Sequence, residues 1–142
     1  MPRKVDNPPN PFERTRVEYE LGCEPNAELV VLEERARSAI AENDSPDLGF
    51  RFSVNPYRGC LHACAYCYAR PTHGYLGLGA GSDFDRKIVV KTNIAELLDR
   101  ELARRTEIDL VVLSGNTDCY QALEHQYELT RACLAVCLSH GV

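Results

Sequence analysis

The stretch Phe50-Arg51-Phe52-Ser53-Val54-Asn55-Pro56-Tyr57-Arg58-Gly59-Cys60-Leu61-His62-Ala63-Cys64-Ala65-Tyr66-Cys67-Tyr68 sets an alternating apolar run directly before three closely spaced cysteines. Phe50, Phe52 and Val54 alternate with Arg51 and Ser53, the period of two that marks a strand, and Asn55-Pro56 stops it. The spacing Cys60-x-x-x-Cys64-x-x-Cys67 suits three thiolates wrapped around one inorganic centre. A four-iron four-sulfur cube has four irons to ligate, so three cysteines would leave one iron open to chemistry. The competing occupant is zinc, with His62 or His73 completing a set of three thiolates and one imidazole.

Outward from this loop the pattern alternates between strands and helices. Residues 71–83 hold Pro71, Gly74, Gly77, Gly79 and Gly81, too many breakers for a regular helix, and are predicted as an extended connection. Ile88, Val89 and Val90, bounded by Lys87 and Lys91, predict a second strand of the kind buried on both faces in parallel sheets. Asn93 with Glu96 three residues on resembles a capping box, and Ile94, Leu97, Leu98 and Leu102 share the face of the helix that follows. Leu110 to Leu113 predict a third strand, leading into the polar run Ser114-Gly115-Asn116-Thr117-Asp118. The last helix, 125–139, sets Leu129, Ala132, Cys133, Val136, Cys137 and His140 on one stripe and ends at Gly141.

Upstream, residues 1–27 carry Pro2, Pro8, Pro9, Pro11 and Pro25 among charges and read as a flexible leader. Residues 28–49 form an N-terminal extension. Within it 28–42 are rich in Glu, Ala, Arg and Leu and predict a helix ending at Asn43-Asp44-Ser45-Pro46-Asp47. Residues 50–142 then carry the first part of an α/β domain of about three parallel strands with flanking helices, ligands being expected at the carboxyl ends of the strands. So short a parallel sheet leaves edges and faces uncovered, so the expectation is the amino-terminal part of a longer protein.

The chain has 142 residues, 44% hydrophobic content and a net charge of −5, which suits one globular domain. That charge removes the electrostatic argument for nucleic-acid binding, although a local basic groove stays compatible with it. With no long apolar segment, the expectation is a cytoplasmic protein with no membrane partner. In a reducing compartment the seven cysteines read as ligands and core residues rather than disulfides. Cys133 and Cys137, four apart on the apolar stripe, read as core. Cys119 reads as structural, and Cys23 as an incidental thiol.

The cysteine motif, with aromatic Tyr66 just before its third member, resembles that of the radical S-adenosylmethionine superfamily. The surrounding words narrow the resemblance. Ser45-Pro46-Asp47, Asn55-Pro56-Tyr57-Arg58-Gly59-Cys60, Tyr66-Cys67-Tyr68-Ala69-Arg70-Pro71-Thr72-His73, Tyr75-Leu76-Gly77-Leu78, Ile88-Val89-Val90-Lys91 and Thr117-Asp118-Cys119-Tyr120-Gln121 are similar to the spore photoproduct lyase-like branch, also described as DNA-repair-photolyase-like. The similarity covers roughly 29–141, with Ala122 standing where that branch has proline. It implies an incomplete (β/α) partial barrel and a four-iron four-sulfur cluster held by Cys60, Cys64 and Cys67.

The resemblance further implies that S-adenosylmethionine binds the open iron and is cleaved reductively to a 5′-deoxyadenosyl radical that abstracts hydrogen. Tyr66 would lie near the adenine. Lys91 and Ser114 are expected partners of the methionyl carboxylate or ribose, with Asn116, Thr117 and Asp118 in similar polar roles. Arg58 beside the loop would shift the cluster's potential by its charge. A one-electron donor such as flavodoxin or ferredoxin is the expected partner, and a lyase reaction the expected outcome. Two alternatives stand beside this reading: a non-catalytic zinc or cluster module, and an inactive fragment.

Overall fold

The computed structural model of the chain describes Pro8, Pro11, Phe12 and residues 28–142. The expectations for the rest of the leader, Cys23 included, lie outside the described residues. In chain order the strands are β1 (Val30–Glu34), β2 (Ile40–Glu42), β3 (Phe52–Val54), β4 (Tyr57–Arg58), β5 (Lys87–Lys91) and β6 (Val112–Leu113). The helices are α1 (Ser82–Arg86), α2 (Ile94–Arg104), α3 (Glu124–Tyr127) and α4 (Leu129–His140), with a 3-10 helix over Arg70–Leu76. Among the described residues no helix is long and apolar enough to cross a membrane.

The strands form two small mixed sheets. In one, β5 lies between β1, parallel to it, and β4, antiparallel to it. In the other, β3 lies between antiparallel β2 and parallel β6. The first and third expected strands are thus parallel neighbours, shortened to β3 and β6, whereas the Ile88–Val90 strand pairs in the other sheet.

The helix expected over 28–42 is absent; β1 and β2 stand there instead. Val30 to Glu34 take register against Lys87 to Lys91, and ladder pairing against a buried strand outweighs helical propensity, a weak prior. Side chains of α2 fix the turn between them. Asn93 accepts from the Ala36 N–H at 2.8 Å and donates to its carbonyl at 2.9 Å. The Glu101 carboxylate accepts from the Ala39 and Ile40 N–H groups at 2.8 and 3.0 Å. Asn93 stands at the N-cap of α2, as expected, but its side chain makes no cap bond; it is spent on Ala36.

Two further expectations are corrected. The Gly-rich segment 71–83 is not wholly extended: Pro71 opens the 3-10 helix at its first turn, where no N–H is needed, and α1 follows Gly81. The last helix is interrupted at Glu128, whose φ is 50°. There the Glu124 carboxylate accepts from the Thr130 and Arg131 N–H groups, both at 3.0 Å, and so caps α4 from the preceding turn. Gly141 ends α4 as expected, with φ 73°.

The core joins both sheets to the helices. Val54, Tyr57, Ile88, Val90, Ile94, Leu98 and Cys133 are all fully buried in one cluster. The Ile94, Leu98, Leu102 face of α2 packs in that cluster as the periodicity predicts, and α2 lies against α4. Each such aliphatic side chain contributes about 1.5–3 kcal/mol on burial. Pro8, Pro11 and Phe12 border a cleft of about 380 Å³ with Pro71 and Tyr75; the Phe12 and Tyr75 rings stack at 5.2 Å.

Candidate functional site

The cysteine loop is aimed by β4. Because β4 runs antiparallel to β5, the chain leaving it heads toward the start of β5, and the Cys60 N–H donates to Phe84 O at 3.0 Å. Gly59 makes that approach with φ 83°. A Cβ there would stand 2.8 Å from Phe84 O, 2.8 Å from Ile88 Cδ1 and 2.9 Å from His73 Cε1, so only glycine fits.

Three short turns then wind the loop, each closed on the carbonyl of a cysteine. Cys60 O accepts from Ala63 N–H at 3.3 Å, Cys64 O from Cys67 N–H at 3.2 Å, and Cys67 O from Arg70 N–H at 3.4 Å. Cys60 is buried, Cys64 and Cys67 half-buried, and all three thiols are free. Cys60 and Cys67 pack with Ala69 and Phe84 in one small apolar cluster. Burial pushes the Cys60 thiol above its ordinary range. The three thiols do not close on one centre: among the described residues no three His, Cys, Asp or Glu groups stand within reach of a single metal ion. As a donor set they nonetheless fit an iron-sulfur group, being three unpaired soft ligands on one loop, two of them open toward solvent.

A buried ionic frame supports the loop from below. Arg70, 6% exposed, donates through Nε to Cys64 O at 2.9 Å and through Nη1 to Ala80 O and Gly81 O at 3.1 and 2.9 Å. Its Nη2 stands 2.8 Å from Asp85 Oδ1, and the guanidinium lies 5.3 Å over the Phe84 ring. Burial raises the Asp85 carboxyl despite the opposing pull of Arg70. Beside them His73 is fully enclosed and donates through Nε2 to Lys87 O at 2.9 Å, and among the described residues its Nδ1 has no hydrogen-bond partner. Burial holds its imidazole below the ordinary pKa. Sequence patterning gave Arg70 and Asp85 no role, since buried charges are read as surface residues until their partners are known.

From above, the polar loop after β6 grips the same segment. Ser114, in the left-handed region at φ 68°, accepts from the Cys119 N–H at 3.0 Å. The Asn116 N–H donates to Asn55 Oδ1 at 3.0 Å, and Thr117 Oγ1 to Tyr57 O at 2.8 Å. Asp118 accepts from the Tyr120 N–H at 2.8 Å and faces His62 Nε2 at 3.1 Å. Tyr68 OH donates to Gly115 O at 2.6 Å. Gln121, which the sequence alone did not single out for a role, donates to Gly59 O at 3.0 Å and accepts from Leu61 N–H at 3.2 Å.

Asp118 is therefore brought against the cysteine loop itself, Asn116 and Thr117 against the segment that leads into it, and Ser114 bonds within its own loop. Lys91 is not brought there: it ends β5 beside Pro56, whose carbonyl accepts its N–H at 3.0 Å, while Gly59 and Cys60 lie near the strand's start. Burial lowers the Lys91 amine, with Arg58 adding to the effect. Tyr66 projects from the loop, 91% exposed. Cys133 and Cys137 are buried on α4, and burial pushes the Cys133 thiol up to about 12, consistent with core residues.

No family model matches the chain, and no solved structure matches it. Among curated proteins, uncharacterised proteins of Mycobacterium tuberculosis and Mycobacterium bovis are each 48% identical over 95 residues, 66% of this chain. An uncharacterised protein of Methanocaldococcus jannaschii is 28% identical over 106 residues, 75% of this chain. The chain spans 28% of the length of the mycobacterial relatives and 38% of the archaeal one, so what it shares with them is one segment of longer proteins.

Proposed function

We propose that this chain carries the cluster-binding part of a radical S-adenosylmethionine enzyme, within a partial (β/α) barrel of that type. The observation that carries the reading is the cysteine loop. Three free thiols at 60, 64 and 67 sit on consecutive turns, with Cys60 and Cys67 in one apolar cluster and a polar loop held against them. Cys60, Cys64 and Cys67 would hold a four-iron four-sulfur cluster. Bound there, the cluster would supply one electron for breaking the carbon–sulfur bond of S-adenosylmethionine, which leaves methionine and a 5′-deoxyadenosyl radical. Around it this chain's own groups do the orienting. Tyr66 offers an exposed ring for the adenine, and Ser114, Asn116, Thr117 and Asp118 line the adjoining loop for the polar parts of the cofactor.

The zinc alternative draws less support. His62 faces Asp118 at 3.1 Å, and His73 is enclosed and bonded through Nε2 to Lys87, and among the described residues neither imidazole completes a metal-holding group with the thiols. A lyase reaction on a DNA photoproduct, with electrons from a flavodoxin or ferredoxin in the cytoplasm, is the finer reading that the sequence resemblance favours. The test is anaerobic reconstitution with iron and sulfide, then dithionite and S-adenosylmethionine, with 5′-deoxyadenosine followed by chromatography. The reading predicts 5′-deoxyadenosine that depends on all three cysteines. Protein that loads iron yet forms none, or that takes up one equivalent of zinc instead, would contradict it.

A further inference from the structure

We infer that Gln121 is a positioning residue that holds the backbone on both sides of Cys60 and ties that ligand to the polar loop. The inference rests on the cluster reading proposed above. The Gln121 amide spends both ends on one cysteine: Nε2 donates to Gly59 O at 3.0 Å, and Oε1 accepts from Leu61 N–H at 3.2 Å. At 1% exposure Gln121 itself is enclosed, and a buried amide that loses its partners is costly. The amide is also held from behind. Gln121 N–H donates to Asp118 O at 3.4 Å, and Gln121 O accepts from Glu124 N–H at 2.9 Å, so its own backbone is fixed in the turn that enters α3.

The polar loop reaches the cysteine segment at further points, Thr117 on Tyr57 O, Asp118 on His62 and Tyr68 on Gly115. Of these links only Gln121 brackets a cysteine. A group that contacts Ser114 to Asp118 therefore acts on Cys60 through a short linkage, and the placement of Cys60 depends on this amide together with its own bonds to Phe84 O and Ala63 N–H.

The test compares Gln121→Leu and Gln121→Glu with the unaltered chain, in two arms. In metal-free protein, iodoacetamide alkylation is followed at each cysteine by peptide mass spectrometry. Cys60 is expected to react about tenfold faster in Gln121→Leu, the factor that two lost hydrogen bonds of ordinary strength allow, with Cys133 still protected. An unchanged Cys60 rate overturns the inference. So does a rise at Cys133 in step with Cys60 in both variants, which would make Gln121 a general support of the fold. In iron-reconstituted protein, Gln121→Glu sets a carboxylate beside the ligand and is expected to lower the cluster's reduction potential; an unchanged potential overturns the positioning role. If the unaltered chain takes up no iron, the cluster reading fails, while the alkylation arm still decides whether Gln121 fixes Cys60.

Discussion

Replacing Gly59 by alanine tests how the cysteine loop is seated, because three separate costs meet at that position. The backbone stands at φ 83°, where an alanine is disfavoured by about 1–2 kcal/mol. The new Cβ would lie 2.8 Å from Phe84 O, a backbone atom that cannot rotate away, and 2.8 Å from Ile88 Cδ1; overpacking of this kind costs about 1–3 kcal/mol. Phe84 O is also the acceptor of the Cys60 N–H, and displacing that bond costs about 1 kcal/mol. Together these come to about 3–6 kcal/mol, a large part of the ~5–15 kcal/mol that a domain of this kind has. At ~3 °C per kcal/mol for this size, the melting temperature should fall by roughly 10–20 °C.

Gly141→Ala is the internal control, since its φ is 73° and, among the described residues, nothing lies within 4 Å of its would-be Cβ. Only the backbone cost applies there, and the expected fall is about 3–6 °C. Thermal unfolding by circular dichroism of the two variants side by side separates strain from clash. Melting of Gly59→Ala within about 3 °C of Gly141→Ala would refute the reasoning, because it would mean that the loop moves aside at little cost.

Arg70→Ala should be among the most damaging changes: it strips Cys64 O, Ala80 O and Gly81 O of their donor and leaves the buried Asp85 carboxylate alone. Breaking a buried pair costs about 3–5 kcal/mol, and chemical denaturation should show it; Arg70→Ala with Asp85→Asn should recover part of that loss. His73 titrates below its ordinary value because it is buried, so its contribution to stability is complete above about pH 6.5 and is lost as pH falls through the lower folded value. Stability measured from pH 7.5 to 5 should therefore decline, with a shallower slope in His73→Gln; parallel slopes would exclude His73 as the cause. Cys64→Ala should lose most of the iron bound on reconstitution, whereas Cys133→Ala, which removes an enclosed core thiol on α4, should keep it. Equal iron in the two variants would separate the metal from the loop.

What could be read from the residues is what local chemistry dictates. The Val-rich Ile88–Val90 run is a buried strand, the Ile94, Leu98, Leu102 face of α2 enters the core, and Gly141 ends α4 in the left-handed region. What was missed depends on partners far along the chain. Residues 28–42 have helical composition taken together, but Val30 to Glu34 within them form a strand because β5 is there to pair with. Glu128 looks like any helical glutamate until the Glu124 carboxylate caps the turn after it. The same holds at the candidate site. The three cysteines declare themselves by spacing, whereas Arg70 and Gln121 stand in the family-like words without a role attached and Asp85 stands in none, and all three gain meaning only from the atoms they meet. Lys91 is expected to meet the methionyl carboxylate or ribose from the end of its strand, and the antiparallel run of β4 carries the cysteine loop toward the opposite end of β5.

The central claim is that Cys60, Cys64 and Cys67 hold a cluster with one iron left for S-adenosylmethionine. Electron paramagnetic resonance of anaerobically reconstituted, dithionite-reduced protein, recorded with and without S-adenosylmethionine, addresses it most directly. The account predicts a reduced-cluster signal whose shape changes when the cofactor is added. A signal indifferent to the cofactor, or no signal from protein that holds stoichiometric zinc, would contradict it.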